Sequence, residues 1–266
     1  MDADAPVLAE VDEDGVGWLR LNRPRSHNAF DELLIAELTA ALGRMDTDTG
    51  VRAVVLTGSG RSFCAGADLN WMQRMGEAGE AENVEDALRL AELLDRLDRL
   101  PKPTLALVNG PAYGGGVGLV ACCDIAIAAN HAVFAMTEVR LGLIPAVISP
   151  HVLAAIGRRQ ARRYFVSGES FSAQEALRIG LVHEVVEGEA LEREGRRILA
   201  GLAANGPRAM AEVKTLIRDV AGRPLDAALR LDTARRIAGA RGSGEGRSRI
   251  AAFLEKRARP ADRGDV

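Results

Sequence analysis

The chain has 266 residues, 47% hydrophobic and 27% charged, with a formal net charge of -3. That length supports a full core without disulfide or metal staples, and the charge balance excludes the clustered basic surface that nucleic-acid binding requires. The acidic start MDADAPVLAEVDEDG has neither the basic nor the apolar region of a secretory signal, and no apolar run approaches the length of a membrane span.

In chain order, residues 16–21 read as a short strand, residues 31–45 as a helix with Asn28 and Asp31 as start signals, and residues 51–57 as a buried strand. A glycine-containing turn, Phe63-Cys-Ala-Gly-Ala-Asp-Leu69, then leads into a helix-compatible stretch. The acidic, small-residue segment 76–85 (GEAGEAENVE) reads as a mobile surface loop, of the kind that can also close over a pocket. A charged helix over about 82–100 and a strand at 104–108 precede a second glycine turn in NGPAYGGGVGLVACCDIAI, followed by strands near 124–128 and 133–135. This alternation indicates an α/β fold. After Pro150 helices dominate. The reading is therefore a core over 1–200 and a helical region over 201–266, whose leftover apolar faces call for another copy of the chain. Cys64, Cys122 and Cys123 sit in apolar surroundings without zinc-type spacing, which fits a reducing, cytoplasmic setting.

Each glycine turn places backbone N–H groups at a strand-to-helix junction, where they are free to hold an oxyanion, and glycine lets a ligand carbonyl approach the main chain. Either turn alone is better read as a tight connection with no ligand.

Together the motifs resemble the enoyl-CoA hydratase/isomerase, or crotonase, superfamily over nearly the whole chain. Asn22-Arg-Pro-Arg-Ser-His-Asn28, Ala53-Val-Val-Leu-Thr-Gly58, Ala65-Gly-Ala-Asp-Leu69, Asn109-Gly-Pro-Ala-Tyr-Gly-Gly-Gly116 and Phe253-Leu-Glu-Lys-Arg257 occur in the family's order. The resemblance implies a spiral of ββα units followed by helices that trimerise, commonly as two trimers in a hexamer. It implies an acyl-CoA thioester as partner, its carbonyl oxygen held between the N–H groups of Ala67 and Gly115. Ala65, Asp68 and Leu69 are assigned to the CoA portion, Arg25 to its phosphates, and Lys256 to CoA, sometimes from a neighbouring subunit. No metal or redox cofactor is expected, since coenzyme A arrives as part of the substrate.

Hydratases that resemble this chain use two glutamates. One is present as Glu138, before Leu141-Gly-Leu-Ile-Pro145, whereas Gly118 stands where the other is expected. A glycine cannot orient water or exchange a proton. Three readings stay open: a hydratase in which Glu138 alone activates water and returns its proton, an isomerase in which Glu138 moves a proton between carbons, and a non-catalytic acyl-CoA-binding protein. The segments 67–72, 121–124 and 138–151 resemble bacterial members that hydrate 3-methylglutaconyl-CoA and related carboxylated, branched enoyl-CoAs. In that setting Gly118 is expected to leave room, so that a glutamate inserted there crowds the acyl chain. Ala146-Val-Ile-Ser-Pro150 replaces a glycine-rich run and is expected to reshape the acyl pocket. Arg140 is weighed as a partner for a substrate carboxylate or as half of a structural ion pair. Ser149 and His151 read as a helix start, His27 as a surface residue, Asp124 as the brace of a turn, and Trp71 and Met72 as either pocket lining or packing.

Overall fold

The computed structural model describes residues 4–258. It opens with an edge hairpin in which β1 (Val7–Val11) runs antiparallel to β2 (Val16–Leu21). Asp12 closes that hairpin by accepting from the N–H groups of Asp14 and Val16 and from the Trp18 indole. Helix α1 (Glu32–Thr47) starts at Asp31, whose carboxylate accepts the Leu34 N–H, and buries Leu34, Leu38, Leu42 and Met45 at helical spacing. Asn28, read as a second start signal, has a different task described below.

Strand β3 (Ala53–Gly58) is buried at every position, and α2 (Leu69–Glu77) and α3 (Glu80–Arg99) follow it. The segment read as a mobile loop is thus mostly helical. Its alanines and glutamates favour helix, and the break between the two helices is closed by the Asn83 amide, which donates to the carbonyls of Met75, Ala78 and Gly79. Then come β4 (Thr104–Val108), β5 (Ala112–Tyr113), α4 (Gly115–Cys122), β6 (Ile125–Ala129) and β7 (Val133–Ala135). The first unit closes with α5 (Ser149–Ser167), β8 (Phe171–Ser172), α6 (Ala173–Arg178), β9 (Glu184–Val186) and α7 (Leu191–Ala203).

Six strands form one sheet in the order β1-β2-β3-β4-β6-β9, parallel from β2 onward, and β5-β7-β8 form a second, smaller sheet. Side chains that alternate along a strand serve two cores. Val54, Leu56, Ala106 and Val108 pack with α1, α3 and α4 on one face, while Val55, Leu105, Leu107 and Ile127 pack with Leu191 and Leu199 of α7 on the other. Every parallel strand of the large sheet ends on the same edge, and the glycine turns leave from the ends of β3 and β4.

The chain divides between Leu202 and Ala203 into two compact units. The second holds α8 (Pro207–Val220), α9 (Ala227–Gly242) and α10 (Gly244–Ala258). Glu245 of α10 accepts the free N–H groups of Arg208 and Ala209 at the start of α8, and the Arg249 guanidinium donates to the carbonyls of Ala204 and Asn205. No helix among the described residues is long and apolar enough to cross a membrane.

Candidate active site

The site is assembled by a loop, two turns and one carboxyl group. Asn28 is fully buried at a left-handed φ of 58° and ties the loop to the end of β3. Its amide donates to the carbonyls of Ser59, Ser62 and Phe63 and accepts the Arg23 N–H. Two residues on, Phe30 pairs with the first glycine turn: its N–H donates to Gly66 O at 2.6 Å and its carbonyl accepts the Asp68 N–H at 2.7 Å. Those two bonds straddle Ala67, whose own N–H has no acceptor among the described residues.

Asp68 fixes this turn from the other side. Its carboxylate accepts the Asn70 N–H at 2.9 Å as the cap of α2 and lies 3.5 Å from Arg23. Arg23 also meets Asp31, the cap of α1, at 2.9 Å and donates to Ala29 O at 2.6 Å. One guanidinium therefore braces both helix caps beside the Ala67 turn. Asp68, assigned above to CoA, is engaged within the fold.

The second turn lies against the first. The Cys64 carbonyl accepts the Tyr113 N–H at 2.8 Å, and a Cβ added to Gly66 would fall 2.9 Å from Tyr113 O. Gly114 takes φ 48°, ψ −115° as the cap of α4, a conformation side chains resist, and its N–H donates to Ala135 O. The Gly115 N–H that follows has no acceptor among the described residues. Each glycine of the turn has a different obstruction in place of a side chain. A Cβ would meet Glu138 Oε1 at 2.9 Å from Gly114, the Phe30 ring at 2.7 Å from Gly115, and Cys64 O at 2.5 Å from Gly116. Beneath the contact, burial pushes the Cys64 thiol up to about 12, which leaves it an inert packing group.

Gly118 departs from expectation. It leaves no vacant room: a Cβ there would sit 2.5 Å from Ile148 Cγ2, with Leu94 Cδ1 at 3.6 Å. A glutamate at this position would collide first with Ile148, not with an acyl chain.

Glu138 opens a short 3-10 helix, Glu138–Leu141, directly after β7. Its carboxyl reaches Gly114, and its Oε2 is buried without a hydrogen-bond partner among the described residues. Burial raises its pKa from the ordinary 4.5, partly offset by a hydrogen bond from its own N–H. An orphaned, buried carboxylate oxygen is costly unless a ligand or reaction uses it.

The remaining positions fall as follows. Arg25 is exposed and has no ion-pair partner among the described residues, and Leu69 is 75% exposed at the first turn of α2. The Ala65 N–H donates to His27 O. Arg140 is exposed, its side chain beside Gly168. The Lys256 side chain lies outside the described residues. Ser149 donates to Ala146 O, and the His151 Nδ1 lies 3.9 Å from Asp98. His27 is exposed and hydrogen-bonded to Ser62. Trp71 is packed, its indole donating to the buried Asp86 at 3.2 Å, and Asp124 braces its turn by accepting the Thr104 N–H and hydroxyl. Phe30 and Arg23 are functional positions that the motifs do not single out, whereas Ile148 lies in the segment 146–150 expected to reshape the acyl pocket. Arg23 carried a faint signal as a cation amid Asp31 and Asp68, but the roles of Phe30 and Ile148 depend on contacts between distant segments.

A profile described as enoyl-CoA hydratase/isomerase matches residues 12–261. A putative enoyl-CoA hydratase from Thermus thermophilus is 37% identical, with 94% of this chain and 98% of the relative covered. The 1,2-epoxyphenylacetyl-CoA isomerase of Escherichia coli is 35% identical over 94% of this chain and 96% of its own. The (E)-benzylidenesuccinyl-CoA hydratase of Thauera aromatica is 34% identical over 79% and 80%. A crystal structure of an enoyl-CoA hydratase from Shewanella pealeana superposes with a TM-score of 0.92 at 40% identity, covering 96% of each chain.

Proposed function

The chain belongs to the enoyl-CoA hydratase/isomerase family, and we propose that it adds water to the α,β double bond of a branched or carboxylated enoyl-CoA such as 3-methylglutaconyl-CoA. The observation that carries this reading is the orphaned Glu138 carboxyl at Gly114, beside two turns with unclaimed N–H groups. With the thioester oxygen between Ala67 N–H and Gly115 N–H, the negative charge that builds on that oxygen meets two fixed donors. Glu138 then removes a proton from water as its oxygen bonds to the β-carbon, and delivers a proton to the α-carbon as the enolate collapses. A carboxyl whose pKa is raised by burial suits both halves of that exchange.

The carboxylated substrate is supported by the name of the Thauera aromatica relative, since a benzylidenesuccinyl group retains a free carboxylate. Arg25, exposed and unpaired among the described residues, is assigned to the CoA phosphates, and Ala65 and Leu69 to the path of the CoA portion. A second reading, isomerisation, is favoured by the single carboxyl group and by the Escherichia coli relative. It uses the same oxyanion donors and lets Glu138 carry a proton between two carbons. The exposed apolar residues Val213, Ile217, Ile237, Phe253 and Leu254 of the helical unit support self-association as a trimer or hexamer. Light scattering at micromolar concentration is expected to give that mass, and a monomer would refute it.

Mass spectrometry of products from an enoyl-CoA panel tests the chemistry. A gain of one water supports hydration, and an unchanged mass with a moved double bond supports isomerisation. Binding of acyl-CoA without turnover of any panel member supports the non-catalytic alternative and overturns both.

A further inference from the structure

Helix α4 is lined on one side by positions four residues apart, Gly114 at its cap and Gly118 one turn along. Glu138 Oε1 occupies the space beside the first, and Ile148 Cγ2 occupies the space beside the second. Ile148 is 3% exposed, precedes α5 as its cap, and shares the space beside Gly118 with Leu94 of α3. One helical turn advances about 5–6 Å, so a wall of hydrocarbon stands next along α4 from the carboxyl. A thioester carbonyl held by Ala67 and Gly115 must bring its α- and β-carbons to Glu138. A straight acyl chain continued in that direction therefore meets Ile148 within a few bonds. The wall is hydrocarbon: α4 carries no charged residue, and the side chains beside Gly118 are those of Ile148 and Leu94.

We infer that Ile148, interlocked with Gly118, is the residue that limits acyl-chain depth beyond Glu138 and so confines this site to short acyl groups. The inference rests on the acyl-CoA reading above but not on which reaction follows binding. It gives Gly118 a purpose as well. The glycine admits the isoleucine, and the isoleucine ends the pocket.

The test is the affinity of butyryl-CoA and of decanoyl-CoA, measured by calorimetry for the wild type and three variants. Ile148→Ala removes Cγ2 and is expected to improve the decanoyl-to-butyryl affinity ratio by about tenfold, the scale on which hydrocarbon pockets discriminate. Ile148→Val, a gentler change that protects against loss of folding, is expected to shift it less in the same direction. In the double variant Gly118→Ala with Ile148→Ala, the new methyl meets the remaining Cβ, 3.1 Å away in the present geometry, and Leu94 Cδ1 at 3.6 Å, and partly refills the space. The ratio should return toward the wild-type value, which general loosening of the site would not produce. A ratio unchanged in both folded single variants overturns the role of Ile148 alone. Failure of the wild type to bind either thioester overturns the acyl-CoA reading together with this one.

Discussion

Around Ala67 the main chain is held by polar side chains: Asp68 caps α2, Arg23 grips Asp68 and Asp31, and Phe30 supplies backbone bonds on either side. Around Gly115 the main chain is shaped by groups that occupy space, and the one polar side chain among them, Glu138, has an oxygen without a hydrogen-bond partner among the described residues. The Glu138 carboxyl, the Phe30 ring, the Cys64 carbonyl and Ile148 fill the spaces that side chains on Gly114, Gly115, Gly116 and Gly118 would need. Both turns end with an N–H group that nothing in the described residues accepts. The first is shaped by bonds that substitution weakens gradually, the second by exclusion, which a single methyl group violates. Similar backbone geometry thus coexists with very different tolerance of mutation.

The largest expected effect comes from leaving both turns alone. Glu138→Gln keeps the shape beside Gly114 and removes proton transfer, so kcat should fall by about 10²–10⁴-fold while acyl-CoA affinity by calorimetry stays near the wild-type value. Near-normal kcat would remove Glu138 from the mechanism. Next, Gly115→Ala drives a methyl into the Phe30 ring at 2.7 Å. Overpacking of this kind costs about 1–3 kcal/mol, read as a lower Tm, and displacement of the donor should lower kcat/KM by about 10²-fold. A variant with unchanged Tm and activity would show that the second turn is not shaped by exclusion. The first turn should yield more softly. Asp68→Ala loses a helix cap for about 1 kcal/mol, whereas Asp68→Asn, which keeps the cap acceptor, should lose less than half of that in chemical denaturation. If Asp68→Ala proved as damaging as Gly115→Ala, the contrast between the turns would fail.

The smallest effect concerns pH. The fold raises the Glu138 pKa above 4.5, so the native state binds this proton more tightly than the unfolded chain does. The associated stability is present below the ordinary carboxyl value and is lost as pH rises through the folded pKa. Glu138→Gln removes that penalty. Its Tm advantage over wild type should therefore grow as pH is raised from about 4 towards neutrality, as followed by scanning calorimetry. A difference that stays constant with pH would contradict burial as the source of the shift.

Much of this arrangement could be read from the chain because its signals were local. The glycine turns, Asp31 as a cap and the buried runs of β3 and β4 each declare themselves within a few residues. Asp68 caps α2, and the role at CoA that the family resemblance gives it stands beside that structural role as a proposal. The edge strand β1 was hidden in an acidic segment, since only pairing with β2 makes it a strand. Segment 76–85 looked like a loop because its charges suit a solvated surface, which an exposed helix also provides. The error at Gly118 was of another kind: an absent side chain suggested space, and space is a property of neighbours thirty residues away. Whether the chemistry is hydration or isomerisation is likewise set by where a water rests, which no short motif encodes.

Phe30 serves both halves of the comparison. Its backbone is bonded to the turn that contains Ala67, and its ring is the object against which Gly115 rests. The two donors are therefore measured from one benchmark. A drift of the loop that carries Phe30 moves them together, as a common-mode error, and their separation is preserved to first order. In the proposed two-donor clamp, precision lies in the difference between two positions, and a shared reference cancels much of the noise before it would reach a thioester oxygen.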